Sequence, residues 1–454
     1  MLKVSEILKA TNGKLIRGDA DTNACGISTD SRSINKKDAF IAIKGDNFDG
    51  NLFINEAIKK GASCIVSSKV RKFVSSQVNY PAIIKVKDTV KALGELARYQ
   101  RQKFNLPVVA VTGSNGKTTT KDMIARVLSS KLSVLKNSGT KNNHIGLPHA
   151  LLGLNKSHDI AVLELGTNHP GEIDYLAQIA CANIGVITNI GPSHIEFFKD
   201  LSGVLREKSS LLNKLQSPRI AIVNADDVSL RKVALNCSRN PIAFSFSLGR
   251  KGDFVASCLT QLKDRMEFSV NKKYKFTLKT LGYYNVYNAL AAIAVARIFG
   301  IGYTDIARKL ASFEFPEGRL KARKIRGVNF IDDTYNANPL SLRCSLEVLE
   351  SLPVKGRKIC VMGDMLELGK ESGLFHKGAA RLVAAVCDVF ITVGENCRLA
   401  VEAHKHSFKN KAVFSCDNAA IAREILFNLV SPTGDDIILV KGSRAMKMEE
   451  VLKI

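Results

Sequence analysis

No stretch of this chain is apolar for long enough to cross a bilayer, and its opening, MLKVSEILKATNGKLIRG, lacks the apolar core of a signal peptide. A soluble, cytoplasmic protein without membrane insertion is expected. None of the ten cysteines forms a C-x-x-C pair and no Cys/His group has zinc spacing, which argues against a disulfide framework and a zinc module. Most stand in apolar runs, as Cys64 does in ASCIV and Cys360 in KICVM, and read as core thiols of a reducing compartment. Low-complexity segments, internal repeats, an Arg-rich tail and nucleic-acid-binding motifs are also missing. Acid is scarce: 42 Asp plus Glu stand against 66 Lys plus Arg, a net charge of +24. Such a field favours anionic partners, but the cations are scattered along the chain, which suits phosphorylated small molecules better than nucleic acid.

What is present is an ordinary globular composition, 45% hydrophobic over 454 residues, long enough for about three domains. Short strand and turn signals, CGISTDSRSI and AFIAIKGDNFDG, precede the helical pattern FINEAIKKGA and suggest a small α/β module over residues 1–82. A helix over Thr89–Lys103 then leads into apolar strands at IAVLEL, NIGVITNI, RIAIVN and PIAFSFS, separated by helical patterns. Residues 83–313 are therefore expected to form a mainly parallel sheet, closed by a helix over Asn285–Gly300. After FPEGRLK, strands at VNFIDD, KICVMGD, DVFITVG and DIILVKGS alternate with helices, an open α/β unit of Rossmann type over 314–454. In such sheets ligands sit beyond the strand carboxyl ends, so Asp332, Asp333, Asp364, Lys441 and Arg444 are placed to face a cleft.

The most informative run is VVAVTGSNGKTTTKD, Val108 to Asp122, an apolar strand breaking into a Gly-rich turn that opens a helix. Gly113 and Gly116 let backbone amides, including those of Ser114, Asn115 and Thr119, close on phosphate oxygens. Lys117 can reach terminal phosphates and Thr118 offers a hydroxyl to magnesium. Val111 stands where the general P-loop pattern has Gly or Ala. Two further strands end in Gly-rich polar turns, one at Glu164 in ELGTNHPGEI and one near His194 in NIGPSHIE. A carboxylate there can bind magnesium, and an imidazole can join a second metal or position a water. A solvated loop residue is the alternative for each.

The ordered motifs VTGSNGKTTTKDM, ELGTNHPGEI, NIGPSHIE, GYYNVYNALAA, FPEGRLK, DDTYNANPLS, GDMLELG and LVKGSRAMKME make the chain resemble the Mur ligase family over nearly its whole length. DDTYNANP and GDMLELG are the most selective, and the DNPR-type motif of the diaminopimelate- or lysine-adding members is absent. The resemblance implies the three-domain α/β architecture: a domain for the uridine nucleotide, a central ATP-binding domain and a Rossmann-like carboxy-terminal domain. It implies ATP-dependent joining of D-alanyl-D-alanine to UDP-N-acetylmuramoyl-tripeptide through an acyl phosphate, by a monomer. Another Mur-type ligase, a folylpolyglutamate-type ligase, and an ATP-dependent nucleic-acid-associated protein are the alternatives.

By the same resemblance Thr118 and Glu164 hold one magnesium, while His194 and a carbamylated Lys208 serve a second. A helix-surface lysine is the commoner reading of Lys208 from sequence. Asn285 and Asn288, three apart on one helix face, match the adenine-contacting pair, and Tyr284 replaces a usual histidine. Arg319 and Asp333 match residues that meet phosphate and ribose. Ser31, Arg32, Lys44, Asp49 and Gly50 are uridine-side candidates, with turn formation the alternative for Asp49-Gly50 and Asn51 replacing a frequent histidine. In NSGTKNNHIGLP, Asn142 and Asn143 approach the muramoyl peptide, Thr140 departing from a common asparagine. Tyr335, Asn336 and Asn338 are candidates for the dipeptide, with Asp364 near them in motif terms. Asp332 and Asp333 have helix capping as their alternative, and His376 reads as a helix residue.

Overall fold

A computed structural model describes residues 2–45, 48–69, 80–237, 241–262 and 264–453. Residues 46–47, inside the KGDNFDG turn, lie outside them. The chain divides into two compact units: Met1–Ala110 with Ser133–Gly166 and Glu172–Asn183, and Val111–Leu132 with Thr167–Gly171 and Ile184–Ile454.

In the first unit a five-stranded sheet runs in the order Lys14–Arg17, Ala82–Lys85, Cys64–Ser67, Ala39–Ile41, Ile27–Ser28. Only the first pair is antiparallel. The inner strands CIVS and AFI are buried throughout, as expected of parallel strands covered on both faces. Helix Thr89–Gln102 starts at Asp88, whose carboxylate accepts from the amides of Val90 and Lys91 at 2.8 and 3.0 Å. Its Leu93 and Leu96 join Val4, Ile7 and Ile84 in one core. Strand Ile160–Glu164 pairs in parallel with Val134–Lys136 and carries Glu164 at its carboxyl end.

In the second unit Ile184–Ile187, Ile220–Asn224 and Ile242–Ser247 pair in parallel. Phe254–Gln261 continues this sheet in parallel, and then Met266–Val270 and Tyr274–Leu278 turn it antiparallel. The expected parallel sheet is thus extended by an antiparallel ladder that the sequence reading passed over. Its signal was the alternation in MEFSV, where Met266, Phe268 and Val270 are buried and the residues between them are not. Helix Tyr284–Ile298 is buried from Asn288 to Ala296 and packs on helix Lys117–Leu128, the small side chains of NALAAIAVA allowing close approach. Gly300, at φ +69°, follows its end.

The carboxy-terminal part of this unit is a six-stranded sheet ordered Lys321–Ile325, Val328–Asp333, Ile437–Lys441, Lys358–Gly363, Val389–Val393, Ala412–Cys416. Its first pair alone is antiparallel. Separate cores cover its two faces, one built with helices Pro339–Ser351 and Ser372–Val386 and the other with helix Ala419–Glu424. This is the doubly wound layering that the alternation of strand and helix predicts.

Candidate active site

Strand Val108–Thr112 delivers the chain into the turn before helix Lys117–Leu128. Gly113 has φ +144°, and a Cβ there would lie 2.0 Å from Thr188 Oγ1. Gly116, at φ +79°, passes so close to Asn288 that a Cβ would meet Oδ1 at 2.4 Å. Both positions require glycine on grounds of conformation and space. The loop is pinned from the turn after Ile184–Ile187: Ser114 N donates to Asn189 O at 2.9 Å, Asn115 N to Asn189 Oδ1 at 3.0 Å, and Ser114 Oγ to Gly191 O at 2.9 Å. The amides of the first helical turn, through Thr119, have no carbonyl four residues back within the helix and are geometrically suited to an anion. Lys117 Nζ donates to Gly113 O at 2.9 Å, folded over the loop it would serve.

Arg319 Nη2 donates to Thr118 Oγ1 at 3.0 Å, so the carboxy-terminal segment reaches the phosphate loop directly. The Arg319 guanidinium also lies 4.1 Å from the centroid of the Tyr335 ring. Asn338 and Asn115 exchange side-chain hydrogen bonds at 2.8 and 3.3 Å. Asn338 also caps helix Pro339–Ser351 by accepting from Ser341 N. Capping therefore falls to Asn338 and not to the neighbouring acids. Asp332 is engaged by Arg323 and Thr334, and Asp333 by Lys441, Ser345 and Leu320 N. Lys441 is 1% exposed and also bonds Asn336 O at 3.0 Å, so the expectation that Lys441 and these acids face an open cleft is corrected. Desolvating a charge is costly, and the buried charges here are spent on one another. Arg444 does remain exposed, paired with Glu449 at 2.9 Å.

Asn285 and Asn288 do share one helix face. Thr120 Oγ1 donates to Asn288 Oδ1 at 3.0 Å, Asn288 Nδ2 to Asn285 Oδ1 at 3.0 Å, and Asn285 Nδ2 to Thr280 Oγ1 at 2.8 Å. This chain of amides fixes both groups relative to the phosphate-loop helix. Tyr284 turns instead to Glu347, which it shares with the stacked Tyr283.

Glu164 is 1% exposed; Oε1 accepts from Asn142 Nδ2 at 2.6 Å, while Oε2 is buried with no hydrogen-bond partner among the described residues. A buried carboxylate oxygen left bare is costly, and a hard cation is the group such an oxygen suits. Asn143 caps helix Gly146–Leu152 through Ile145 N and Gly146 N. Lys208, expected from sequence to lie on a helix surface, is 1% exposed. Burial, aided by the Lys117 charge and opposed by Glu207, drives its amine well below the usual lysine range, toward the neutral form. His194 has φ +53°, and its Nδ1 lies 2.5 Å from Glu367 Oε2.

In the first unit Ser31 donates to Glu56 at 2.9 Å, Arg32 is exposed and forks onto Asp30, and Lys44 is exposed beside Asp49. The Arg32 hydrogen bonds hold Asp30 down to about 2. Asp49 accepts from Lys69 and Asn51, which lower its carboxyl, and Gly50 follows it into a short 3₁₀ turn. Elsewhere Asp364, His376 and Cys397 gather ligand atoms within 4.8 Å. They serve as architecture: His376 Nε2 accepts from Met365 N at 3.0 Å, and Asp364 accepts from Asn396 N and Cys397 N. Sequence reasoning missed Glu367, although it lies inside the quoted GDMLELG run, because nothing local says which of its two acids would be used. It also missed Asn189 and Glu347.

The chain belongs to the Mur ligase family. It matches the family catalytic domain over residues 24–101, the Mur ligase middle domain over 111–296 and the glutamate ligase domain over 318–444. Among curated relatives, the UDP-N-acetylmuramoyl-tripeptide--D-alanyl-D-alanine ligase of Bacillus subtilis is 35% identical, covering 94% of this chain and 92% of its own. A crystal structure of MurF from Acinetobacter baumannii superposes with a TM-score of 0.90 at 33% identity, covering 99% of this chain and 97% of that one. MurF ligase of Thermotoga maritima, solved in complex with ADP, has a TM-score of 0.80 at 30% identity, covering 94% and 96%.

Proposed function

We propose that this protein is an ATP-dependent ligase that joins D-alanyl-D-alanine to UDP-N-acetylmuramoyl-tripeptide. The supporting observation is the whole-length likeness to relatives bearing that activity, 35% identity over 94% of the chain in one case. The neighbouring classes are less well supported: the loop lacks the GKGS ending of folylpolyglutamate synthetases, and the cations form no nucleic-acid motif.

In this reading the tripeptide carboxylate attacks the γ-phosphate of ATP, forming an acyl phosphate and releasing ADP. The dipeptide amine then adds to the acyl carbon, and the tetrahedral intermediate collapses with loss of phosphate and a proton, leaving the amide. Lys117 and the first-turn amides balance charge on the transferring phosphoryl group, an electrostatic and positional contribution. Arg319 brings a further cation from the carboxy-terminal segment to the Thr118 hydroxyl. Asn285 and Asn288 meet the adenine edge, whereas Asp333, both of whose oxygens are bonded within the fold, is not assigned to the ribose. Tyr335, Asn336 and Asn338 meet the dipeptide, while Asn142 and Asn143 approach the muramoyl peptide. Ser31, Arg32, Lys44, Asp49 and Gly50 form the uridine side. Residues 1–82, 83–313 and 314–454 are the corresponding domains of a cytoplasmic monomer.

The bare Glu164 oxygen suits magnesium, and the family resemblance names Thr118, His194 and Lys208 as the rest of the ligand set. When bound, magnesium neutralises phosphate charge. Lys208 joins that set as a carbamate: its neutral amine adds to carbon dioxide and loses a proton, turning a repelling cation into an oxygen ligand. Intact-protein mass spectrometry under bicarbonate, on wild type and Lys208→Ala, tests the carbamate, and full bicarbonate-independent activity of the variant would discard it.

The ligase reading is tested by phosphate release from ATP with the muramoyl tripeptide, with and without D-alanyl-D-alanine, while mass spectrometry follows the pentapeptide. Release and product that both require the dipeptide are expected. Folded, bicarbonate-supplied protein that makes no pentapeptide would refute the reading.

A further inference from the structure

The GDMLELG run is among the most selective parts of the sequence, and its Glu367 has so far only been placed beside His194. The stretch after Asp364 is firmly anchored. Met365 and Leu368 are buried in the carboxy-terminal core, Met365 N donates to His376 Nε2 at 3.0 Å, and Leu366 N donates to Ser443 Oγ at 2.8 Å. Between these anchors Glu367 adopts φ +62°, a left-handed conformation unusual for a side-chain-bearing residue. Its carboxylate reaches His194, itself left-handed at φ +53°. The two chains also meet through backbone. Glu196 N donates to Glu367 O at 3.3 Å, and a Cβ on Gly369 would stand 3.1 Å from the Glu196 Cα. Non-glycine residues held left-handed persist only where surrounding structure fixes them, and here two of them face each other.

At 2.5 Å two facing lone pairs would repel, so the Glu367 carboxylate favours the proton on Nδ1. Nδ1 makes no aligned hydrogen bond among the described residues, so the pair acts chiefly through charge and orientation. With the proton on Nδ1, Nε2 is left as the nitrogen with a free lone pair. A carboxylate on the far nitrogen is the usual way a protein fixes the tautomer and angle of a ligating imidazole.

We propose that Glu367 is a positioning residue for His194: anchored in the carboxy-terminal core, it fixes the imidazole as the Nδ1–H tautomer and so prepares Nε2 for the site. This rests on the ligase reading only where activity is concerned. Because the carboxylate and the imidazole come from different segments, His194 is correctly set only when the Asp364–Leu368 stretch is docked on the turn that bears it.

The test uses the full-length, ligand-free protein labelled with ¹⁵N-histidine at one fixed pH, the His194 signals being assigned by their loss in His194→Gln. In the wild type His194 is expected as the Nδ1–H tautomer. Glu367→Ala and Glu367→Gly should give an averaged tautomer; glycine is included because it tolerates the left-handed backbone and keeps the fold. Glu367→Gln, whose amide oxygen can still accept from Nδ1, should restore the wild-type tautomer. In ligation assays the Ala and Gly variants should lose about 10- to 100-fold in kcat, with the KM for the muramoyl substrate within about twofold. Glu371→Gln, an exposed neighbour, should change neither readout. A His194 tautomer unaltered in both the Ala and Gly variants would overturn the proposal. If wild type shows the expected tautomer but makes no pentapeptide, the ligase reading fails and the Glu367 assignment stands.

Discussion

At the end of strand Ile160–Glu164 a buried carboxylate keeps one oxygen bare, whereas at the ends of the carboxy-terminal strands Asp333 and Asp364 have both oxygens bonded. All three are carboxylates at the carboxyl end of an apolar strand. What differs is the partner set. Asp333 is held by Lys441 and Ser345, and Asp364 spends itself on the start of helix Glu395–Glu402. Glu164 receives the Asn142 amide on Oε1 and, among the described residues, nothing on Oε2. A buried polar group that is satisfied stabilises the fold, while one left unsatisfied lowers stability and awaits a ligand. The contrast separates architecture from site more sharply than residue type does.

The contrast is tested most severely by removing charge from the open side. Lys117→Ala is expected to lower ligation by about 1000-fold, the cost of losing a group that balances transition-state charge. Its circular dichroism should be unchanged, since the Lys117 ammonium bonds Gly113 O and Ser114 O within its own loop. Glu164→Gln should lower ligation by about 100-fold at any magnesium concentration. Urea unfolding should show equal or greater stability for this variant, because a bare buried charge has been removed.

Asp333→Asn should behave oppositely in the unfolding measurement. It leaves Lys441 charged and buried without its counter-ion and should cost about 3–5 kcal/mol. If Glu164→Gln and Asp333→Asn destabilise equally, the distinction between open and satisfied carboxylates does not hold. Gly113→Ala is smaller: a Cβ 2.0 Å from Thr188 Oγ1 on a positive-φ backbone should cost about 1–3 kcal/mol by thermal or urea unfolding.

The smallest effect is expected at Asp436, which lies on the satisfied side and away from the phosphate loop. Burial alone would raise its carboxyl, but hydrogen bonds from the Arg357 side chain and from the amides of Thr433 and Arg357 outweigh burial and hold it below the usual range. A lowered folded-state value means that the contribution is present above the unfolded-state value of about 3.9 and is lost as pH falls through the folded value. Asp436→Asn should therefore cost about 1–2 kcal/mol at pH 7, and the gap from wild type in urea titrations should shrink below about pH 4. A gap that persists or widens in acid would place the effect elsewhere.

Much of the candidate site's local structure was legible from sequence because it is set by neighbouring residues. The spacing of Gly113, Gly116, Lys117 and Thr118 fixes a strand, a turn and a helix start within a few residues, and no distant partner is needed to read it. Asn285 and Asn288 were legible for a similar reason, since a three-residue separation puts two amides on one helix face. Lys208 was less legible, because a lysine in GVLREKSSLL carries no local sign of burial. Asn142, Asn143 and Asn338 show the same limit: hydrogen bonds to Glu164, to a helix start and to Asn115 involve them in structural tasks that their motifs do not disclose. The ladder Phe254–Leu278 was missed where a period of two in short strands competed with longer, more apolar signals around it.

The sequence by itself determined the alternation of strand and helix, the phosphate loop and the family, because apolar periodicity and turn chemistry act over a few residues. Only the tertiary structure decided which buried charges are spent and which are open. Asp333 is joined to Lys441 across 108 residues, while Glu164 keeps an oxygen that no described residue bonds. Whether a carboxylate is satisfied depends on groups brought to it from elsewhere in the chain, and that pairing is settled when the sheets and helices pack.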